Sequence, residues 1–346
     1  MYLEHFGLAE FPFKLTPDAD YLYMSPSHAR ALAYMEYAIV NREGFVVITG
    51  DIGSGKTTLI KKILNSLDEN IIVAKIFQTQ LDEVELLQSI LVEFGLNPFK
   101  SKKVELLNML NQFLVDRYLE GKQMLLIIDD AQNLNKKALE EITMLSGVET
   151  QKEKILQVIL VGQPELNTKL ESPDMEQLLQ RVSLRFHIRA LTESETKEYV
   201  IHRLKVAGNK SKKLFIDEIF KTIFEFSGGV PRLINTLCDT ALTCAFADDK
   251  KKVGSVEFTD VIDELQWETY TESHKKKDFS LMQENLYDER EMSGDVRDRT
   301  IPGDPVLYRA LIEITRQLTR VADSLEEKNN FVNKLSTSLE NKKQKK

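Results

Sequence analysis

The chain has 346 residues, of which 42% are hydrophobic and 29% charged, and a formal net charge of −8 at pH 7. That length and apolar content allow one to three domains with a sizeable core, while the acidic balance argues against a surface that coats nucleic acid generally, leaving only a local basic patch open. No run of about 18 apolar residues occurs, and no basic region followed by an apolar stretch opens the chain, so neither a membrane span nor a signal peptide is expected and the expected location is the cytoplasm. Cys238 and Cys244 fall on different faces of one predicted helix. They fit no metal spacing and read as core thiols of a reducing compartment.

The first segment, Tyr2 to Tyr23, carries Phe6, Phe11, Phe13, Tyr21 and Tyr23 among prolines. It is too short for its own core and is expected to pack its aromatics on the domain that follows. Pro26 to Asn41 reads as a helix with Leu32, Met35, Tyr37 and Ile39 as its apolar contacts.

The β-branched run Phe45-Val46-Val47-Ile48-Thr49 then leads into Gly50-Asp51-Ile52-Gly53-Ser54-Gly55-Lys56-Thr57, and a helical pattern opens at Thr58. The pattern G-x-x-x-x-G-K-[ST] between a strand and a helix is a phosphate-binding loop. Its glycines let consecutive N–H groups turn inward, and the helix N-terminus adds partial positive charge. Lys56 is placed to reach the β- and γ-phosphates, and the Thr57 hydroxyl to ligate Mg²⁺.

A second strand covers Ile71 to Phe77, and its continuous apolar run suits a parallel strand covered on both faces. Helices follow at about 84–94, stopped by Gly95 and Pro98, and at about 104–119. The strand Met124-Leu125-Leu126-Ile127-Ile128 ends in Asp129-Asp130. Such an acid at a strand's carboxyl end, beside a phosphate loop, is a metal-holding group, and Asp130 is placed to polarise the attacking water. The strand Leu156 to Val161 ends in Gly162-Gln163-Pro164-Glu165. There Gln163 either touches the γ-phosphate or its water, or caps its own turn. The stretch Gln177 to Phe186 ends a helix before a last strand, Phe186 to Arg189. In it Arg181 or Arg185 is an arginine-finger candidate for a neighbour's γ-phosphate, the alternative being a surface salt bridge.

From Thr192 only helices are predicted, at about 192–205, 216–226, 231–247 and 257–265. Gly228-Gly229-Val230-Pro231-Arg232 puts proline at a favoured first-turn position and Arg232 beside it. If this helical part folds back over the nucleotide, Arg232 reads its phosphates. The stretch from about Tyr270 to Asp304 reads as a charged linker, expected to be disordered. Beyond it Leu307, Leu311, Ile314, Leu318, Val321 and Leu325, then Val332, Leu335 and Leu339, form a heptad seam. The seam suits a coiled coil, with a single amphipathic helix docked on the domain that carries the phosphate loop as the alternative. The basic ending, Asn341 to Lys346, reads as a solvated tail, with contact to an anionic membrane as the other option.

Taken in order, these motifs resemble an AAA+ ATPase. Together with Phe6-Gly7-Leu8, Thr16-Pro17-Asp18, Thr79-Gln80-Leu81-Asp82, Asp130-Ala131-Gln132-Asn133-Leu134, Gln180-Arg181-Val182 and Ile234-Asn235-Thr236-Leu237-Cys238-Asp239, they resemble the secretion ATPase A family over residues 1 to about 267. The nearest likeness is to the branch found in exosortase (PEP-CTERM) loci. The resemblance implies an α/β P-loop NTPase fold with a five-stranded parallel sheet, an all-helical lid and a C-terminal coiled-coil helix. The implied domains are an N-terminal aromatic segment and helix (1–41), the nucleotide-binding domain (42–190), the lid (191–267), a linker (268–304) and the coiled coil (305–341). It implies ATP and Mg²⁺ as cofactors, Lys56 and Thr57 on phosphate and metal, Asp129 on metal, Gln163 as sensor 1, Arg181 as the finger and Arg232 as sensor 2. It also implies that the segment before the loop helps to hold the base.

Two departures stand out. The family usually has Glu where this chain has Asp130, shorter by one methylene, which implies slow hydrolysis or help from another residue. No membrane span or cell-wall module is visible after the ATPase part, so direct cell-wall engagement is not expected. The implied activity is an ATP-hydrolysing motor or switch in envelope secretion, pilus or exopolysaccharide assembly. It would act as a homo-oligomer through the finger and meet a partner or itself through the coiled coil, peripheral to inner-membrane machinery. The alternatives are a nucleic-acid-directed AAA+ regulator of the transposition-targeting type, disfavoured by the charge, and a nucleotide-gated scaffold with little turnover.

Overall fold

A computed structural model describes residues 2–98, 102–147, 154–209 and 213–271. The chain divides into two units, Met1–Lys277 and Asp278–Lys346, and the described residues all belong to the first. The heptad seam, the basic ending and most of the predicted linker lie outside the described residues.

Five parallel strands form one sheet: β1 (Phe45–Gly50), β2 (Ile71–Ile76), β3 (Gln123–Ile128), β4 (Leu156–Gly162) and β5 (Val182–Ile188), in the order β2-β3-β4-β1-β5. Alternation along the strands loads the two faces separately. Phe45 and Val47 of β1, with Leu126 and Ile128 of β3, face a core built with α4 (Glu83–Glu93), α5 (Lys103–Leu119), α6 (Lys136–Leu145), α7 (Glu165–Leu170) and α8 (Glu176–Arg181). Val46, Ile48, Leu125 and Ile127 face the other way, onto α2 (Pro26–Val40) and α3 (Lys56–Leu64). Because β1 and β4 lie inside the sheet and are covered on both faces, every one of their residues is buried.

The edges depart from the sequence expectations. β2 is an edge strand, and four of its six residues are only half-buried, so its apolar run does not mean cover on both faces. The last strand starts at Val182 rather than Phe186, directly after α8. It pairs with β1 alone, and half-buried Val182, Leu184 and Phe186 alternate with exposed Ser183, Arg185 and His187. That alternation is the period of a strand with one covered face, and it follows the preceding helix with no turn residue between them. On α2, Tyr37 is exposed, and His28, Ala31, Met35, Ala38 and Ile39 are the buried side chains.

The helices α9 (Glu193–Val206), α10 (Ile219–Ser227), α11 (Pro231–Ala247) and α12 (Ser255–Leu265) enclose a second core. The N-terminal aromatics belong to this core rather than to the sheet domain that follows them in sequence. Tyr2, Phe6, Leu8, Phe13 and Tyr21 are buried among Val200, Ile223, Leu237 and their neighbours. Phe13 meets Phe215 edge-on at 6.1 Å, and the short helix α1 (Tyr2–Phe6) is tied down by the Tyr2 hydroxyl donating to Asp239 at 2.6 Å. Four short helices leave apolar surface uncovered, and aromatic rings supply much buried area per residue. Cys238 is buried in this core, where burial pushes its thiol pKa up; Cys244 is half-buried. Among the described residues no helix is long and apolar enough to cross a membrane.

Candidate nucleotide-binding site

The loop between β1 and α3 is shaped by two left-handed glycines, Gly53 at φ 81° and Gly55 at φ 94°. L-residues avoid that region, so the curled path depends on glycine. Lys56 is buried and donates to the carbonyls of Gly50 at 2.7 Å and Asp51 at 2.8 Å. Burial lowers its pKa, and Asp129 and Asp130 nearby oppose that shift. The Thr57 hydroxyl donates to Asp129 Oδ2 at 2.7 Å. Asp129 is itself buried; burial raises its carboxyl pKa, countered by the Thr57 bond and by the Asp130 N–H at 3.0 Å.

Asp130 leaves β3 in the left-handed conformation, φ 50° and ψ 38°, with an exposed side chain. Asp tolerates this region better than most residues. Thr79 holds the turn by donating to the Asp130 carbonyl at 3.0 Å. Gln163, at the tip of β4, donates its backbone N–H to Gln132 Oε1 at 2.9 Å.

The helical part supplies the opposite wall. Gly229 (φ 73°) passes so close to Leu191 that a Cβ there would lie 1.8 Å from the Leu191 carbonyl oxygen. This close approach starts α11 over the loop. The Arg232 N–H donates to the Gly53 carbonyl at 3.2 Å, and a Cβ on Gly53 would sit 2.4 Å from the Arg232 Cβ. The cleft between these walls measures about 430 Å³, and Lys56, Thr57, Thr58, Asp130, Gln163 and Arg232 all line it.

Arg181 does not line this cleft. Its guanidinium donates to the Thr143 carbonyl at 2.8 Å and to Ser146 Oγ at 3.1 Å, at the C-terminal end of α6. Arg185 pairs with Glu171 at 3.3 Å.

The sequence implies a contribution from the segment before the loop without naming its residues, and it does not single out Arg203 or His28. The N-terminal segment lines the cleft through Lys14 to Asp18 and Leu22. Arg203 is buried; it donates to the Pro12 carbonyl at 2.5 Å and the Lys14 carbonyl at 3.3 Å, with its guanidinium 4.8 Å from the Tyr21 ring centre. His28, on α2, lines the cleft and braces the phosphate loop, with Nε2 2.9 Å from the Ser54 carbonyl and Nδ1 2.7 Å from Ser25 Oγ. A carbonyl only accepts, so Nε2 carries the proton and the Ser25 hydroxyl donates to Nδ1. Burial lowers the His28 pKa, in keeping with a neutral ring. Neither Arg203 nor His28 sits in a recognisable spacing; only the Thr-Pro-Asp stretch at 16–18 pointed at this wall.

The donor set fits a hard divalent cation. Thr57 and Asp129 put a hydroxyl and a carboxylate at one spot, and Mg²⁺ is commonly held by one or two carboxylates together with substrate phosphates. No group of three or more His, Cys, Asp or Glu among the described residues forms a self-sufficient metal cage. The metal would therefore rely on Thr57, Asp129 and the nucleotide's own oxygens.

A family model described as an AAA domain matches residues 40–170. General secretion pathway protein A of Aeromonas hydrophila is 38% identical over 277 residues, which is 78% of this chain and 50% of that protein. The chain thus spans about half the length of this relative. Among solved structures, the Aeropyrum pernix ORC2 protein (ADPNP-ADP complexes) is similar with a TM-score of 0.52 at 16% identity, over 73% of this chain and 71% of that one. Cdc6p from Pyrobaculum aerophilum reaches 0.55 at 14% identity, over 70% and 67%. At such identities these two speak for the fold alone. With the phosphate loop, the parallel five-stranded sheet and the helical part over the loop, the chain belongs to the AAA+ ATPases of the general secretion pathway protein A family.

Proposed function

We propose that this chain binds Mg²⁺-ATP in the cleft and hydrolyses it to ADP and phosphate. The observation that supports this most is the meeting of Lys56, Thr57, Asp130, Gln163 and Arg232 around one cleft, contributed by the phosphate loop, two strand tips and the helical part. The loop N–H groups and Lys56 bind the phosphates, and Arg232 adds positive charge from above. Thr57 and Asp129 would hold Mg²⁺, which would supply positive charge to offset that of the phosphates. Asp130 accepts a hydrogen bond from the attacking water and draws off its proton as the oxygen approaches phosphorus. Gln163 orients that water or the γ-phosphate. Arg181 serves a neighbouring subunit's γ-phosphate in a homo-oligomer, exchanging its bonds at the end of α6 for that contact.

The relative's name supports a role in secretion; on our reading the chain acts as a motor or switch in envelope secretion, pilus or exopolysaccharide assembly. The proposed units are a nucleotide-binding domain at 42–190 and a lid at 191–267, followed by a linker and a coiled coil that meets the partner. Steady-state ATP turnover of wild type, Asp130→Asn and Asp130→Glu tests the hydrolytic assignment. Loss in the Asn variant with retention or gain in the Glu variant is the expected result. An Asn variant as fast as wild type overturns it.

A further inference from the structure

Gln132 makes two side-chain hydrogen bonds that point in opposite directions. Its Oε1 accepts the Gln163 backbone N–H at 2.9 Å, and its Nε2 donates to Asp130 Oδ1 at 3.2 Å. The amide orientation follows from the partners. A backbone N–H needs an acceptor, so oxygen faces β4, and the NH₂ group is left for the carboxylate. The side chain is buried, and the space against β4 is tight: a Cβ on Gly162 would lie 2.9 Å from Oε1. The backbone of the same turn is pinned as well, because Lys169 Nζ donates to the Gln132 carbonyl and, at 3.1 Å, to the Leu134 carbonyl.

We infer that Gln132 is the positioning residue of the hydrolytic carboxylate, coupling Asp130 to the tip of β4. The inference rests on Asp130 being the group that acts on water. A short acid leaving a strand in a left-handed turn has two free side-chain torsions and no packing partner to choose between its rotamers. One amide bond from a buried, pinned side chain selects the rotamer. It also leaves Asp130 Oδ2 as the oxygen free to meet water. Since the other end of the amide reads the backbone of Gln163, a shift of the β4 tip on contact with the γ-phosphate moves the amide, and the carboxylate with it. Gln132 does not line the cleft that Asp130 and Gln163 face, so it acts through Asp130.

The test uses the full chain and three variants. Gln132→Met removes both bonds. Gln132→Glu keeps the acceptor for Gln163 but sets a carboxylate against Asp130. Asp130→Asn checks the parent assignment. The readouts are kcat and KM for ATP, equilibrium binding of a fluorescent ATP analogue with Mg²⁺, and hydrogen exchange of the peptide that spans the β4 tip. The expected result is a kcat about ten- to a hundredfold lower in both Gln132 variants, the cost of a displaced reacting group, with nucleotide binding within about twofold of wild type. Exchange at the β4 tip should rise in Gln132→Met and stay at the wild-type level in Gln132→Glu. A Gln132→Glu protein with wild-type kcat, while Asp130→Asn is inactive, overturns the coupling and leaves the ATPase reading standing. An active Asp130→Asn protein overturns both. If Gln132→Met does not fold, Gln132→Glu decides by itself, because it retains the bond to β4.

Discussion

The Thr57 hydroxyl lies 2.7 Å from Asp129 Oδ2, although 72 positions separate the two residues. One belongs to the first turn of α3, just after the phosphate loop, and the other follows the last residue of β3, with β4 running between β1 and β3. Metal-dependent binding should therefore depend on both. Thr57→Ala and Asp129→Asn should each weaken ATP binding in Mg²⁺ by about tenfold or more, in line with the 1.5–3 kcal/mol typical of charge-assisted contacts. With EDTA the same variants should bind ATP nearly as wild type does. Lys56→Ala should weaken binding under both conditions. Calorimetric titration with and without Mg²⁺ separates these cases.

Gly53 and Arg232 form the seam between the loop and the helical part. Gly53→Ala places a side chain at φ 81° and 2.4 Å from the Arg232 Cβ. We expect about 1–3 kcal/mol of destabilisation from the backbone strain alone, together with weaker nucleotide binding. Arg232→Ala removes the charge but keeps the Cβ and the backbone N–H, so it should lower nucleotide affinity without lowering the melting temperature of the free protein. Thermal unfolding with and without nucleotide distinguishes the two.

His28 ties the phosphate loop to solution pH. Burial holds its folded-state pKa below the usual 6.5, partly offset by the bond to Ser54 and by Glu195. The unfolded chain then binds a proton more readily than the folded one. Stability is complete above about pH 6.5 and falls as pH drops below it towards the folded-state pKa. Protonation of the folded protein turns Nδ1 into a donor and reverses the Ser25–His28 hydrogen bond beside the loop, and because the folded-state pKa is lowered, any loss of ATP affinity should come at the acid end of this window. His28→Gln should flatten the acid side of the stability curve, measured by urea unfolding between about pH 5 and 8. A slope from His202, whose pKa burial also lowers, should remain.

Arg203 anchors the N-terminal segment to the helical part through the Pro12 and Lys14 carbonyls, and the Tyr199 hydroxyl on the same helix accepts from its guanidinium at 3.0 Å. Arg203→Met keeps bulk but leaves buried carbonyls unpaired, and should cost about 2–4 kcal/mol. Arg203→Lys should not restore it, since an ammonium lacks the planar fork that reaches both carbonyls. Limited proteolysis should cut within residues 7–24 of the Met variant before the rest of the chain opens.

Much of the site was legible in the residues because a phosphate loop is a local object. Gly53, Gly55, Lys56 and Thr57 owe their arrangement to dihedrals and to the strand and helix on either side. Asp129 and Asp130 were legible for a similar reason, since four bulky residues ending in acids define a buried strand and its exit. The edge strand β5 starts four residues before the sequence expectation: Val182, Leu184 and Phe186 alternate with Ser183, Arg185 and His187 at the period of a half-buried strand, and the preceding helical pattern runs into it without a break. Tyr37 illustrates the same limit: apolar spacing names candidates for the buried face without saying which face is covered.

Sequence alone thus determined the chemistry of the phosphate loop, the acids after β3 and the order of sheet and helices, all of which depend on near neighbours in the chain. Only the tertiary structure decided that the N-terminal aromatics join the helical core, that His28 braces the loop, and that Gln132 stands between Gln163 and Asp130. Those contacts join residues whose separation along the chain carries no period or motif. They come from where uncovered apolar surface and unpaired polar atoms meet once the elements have packed.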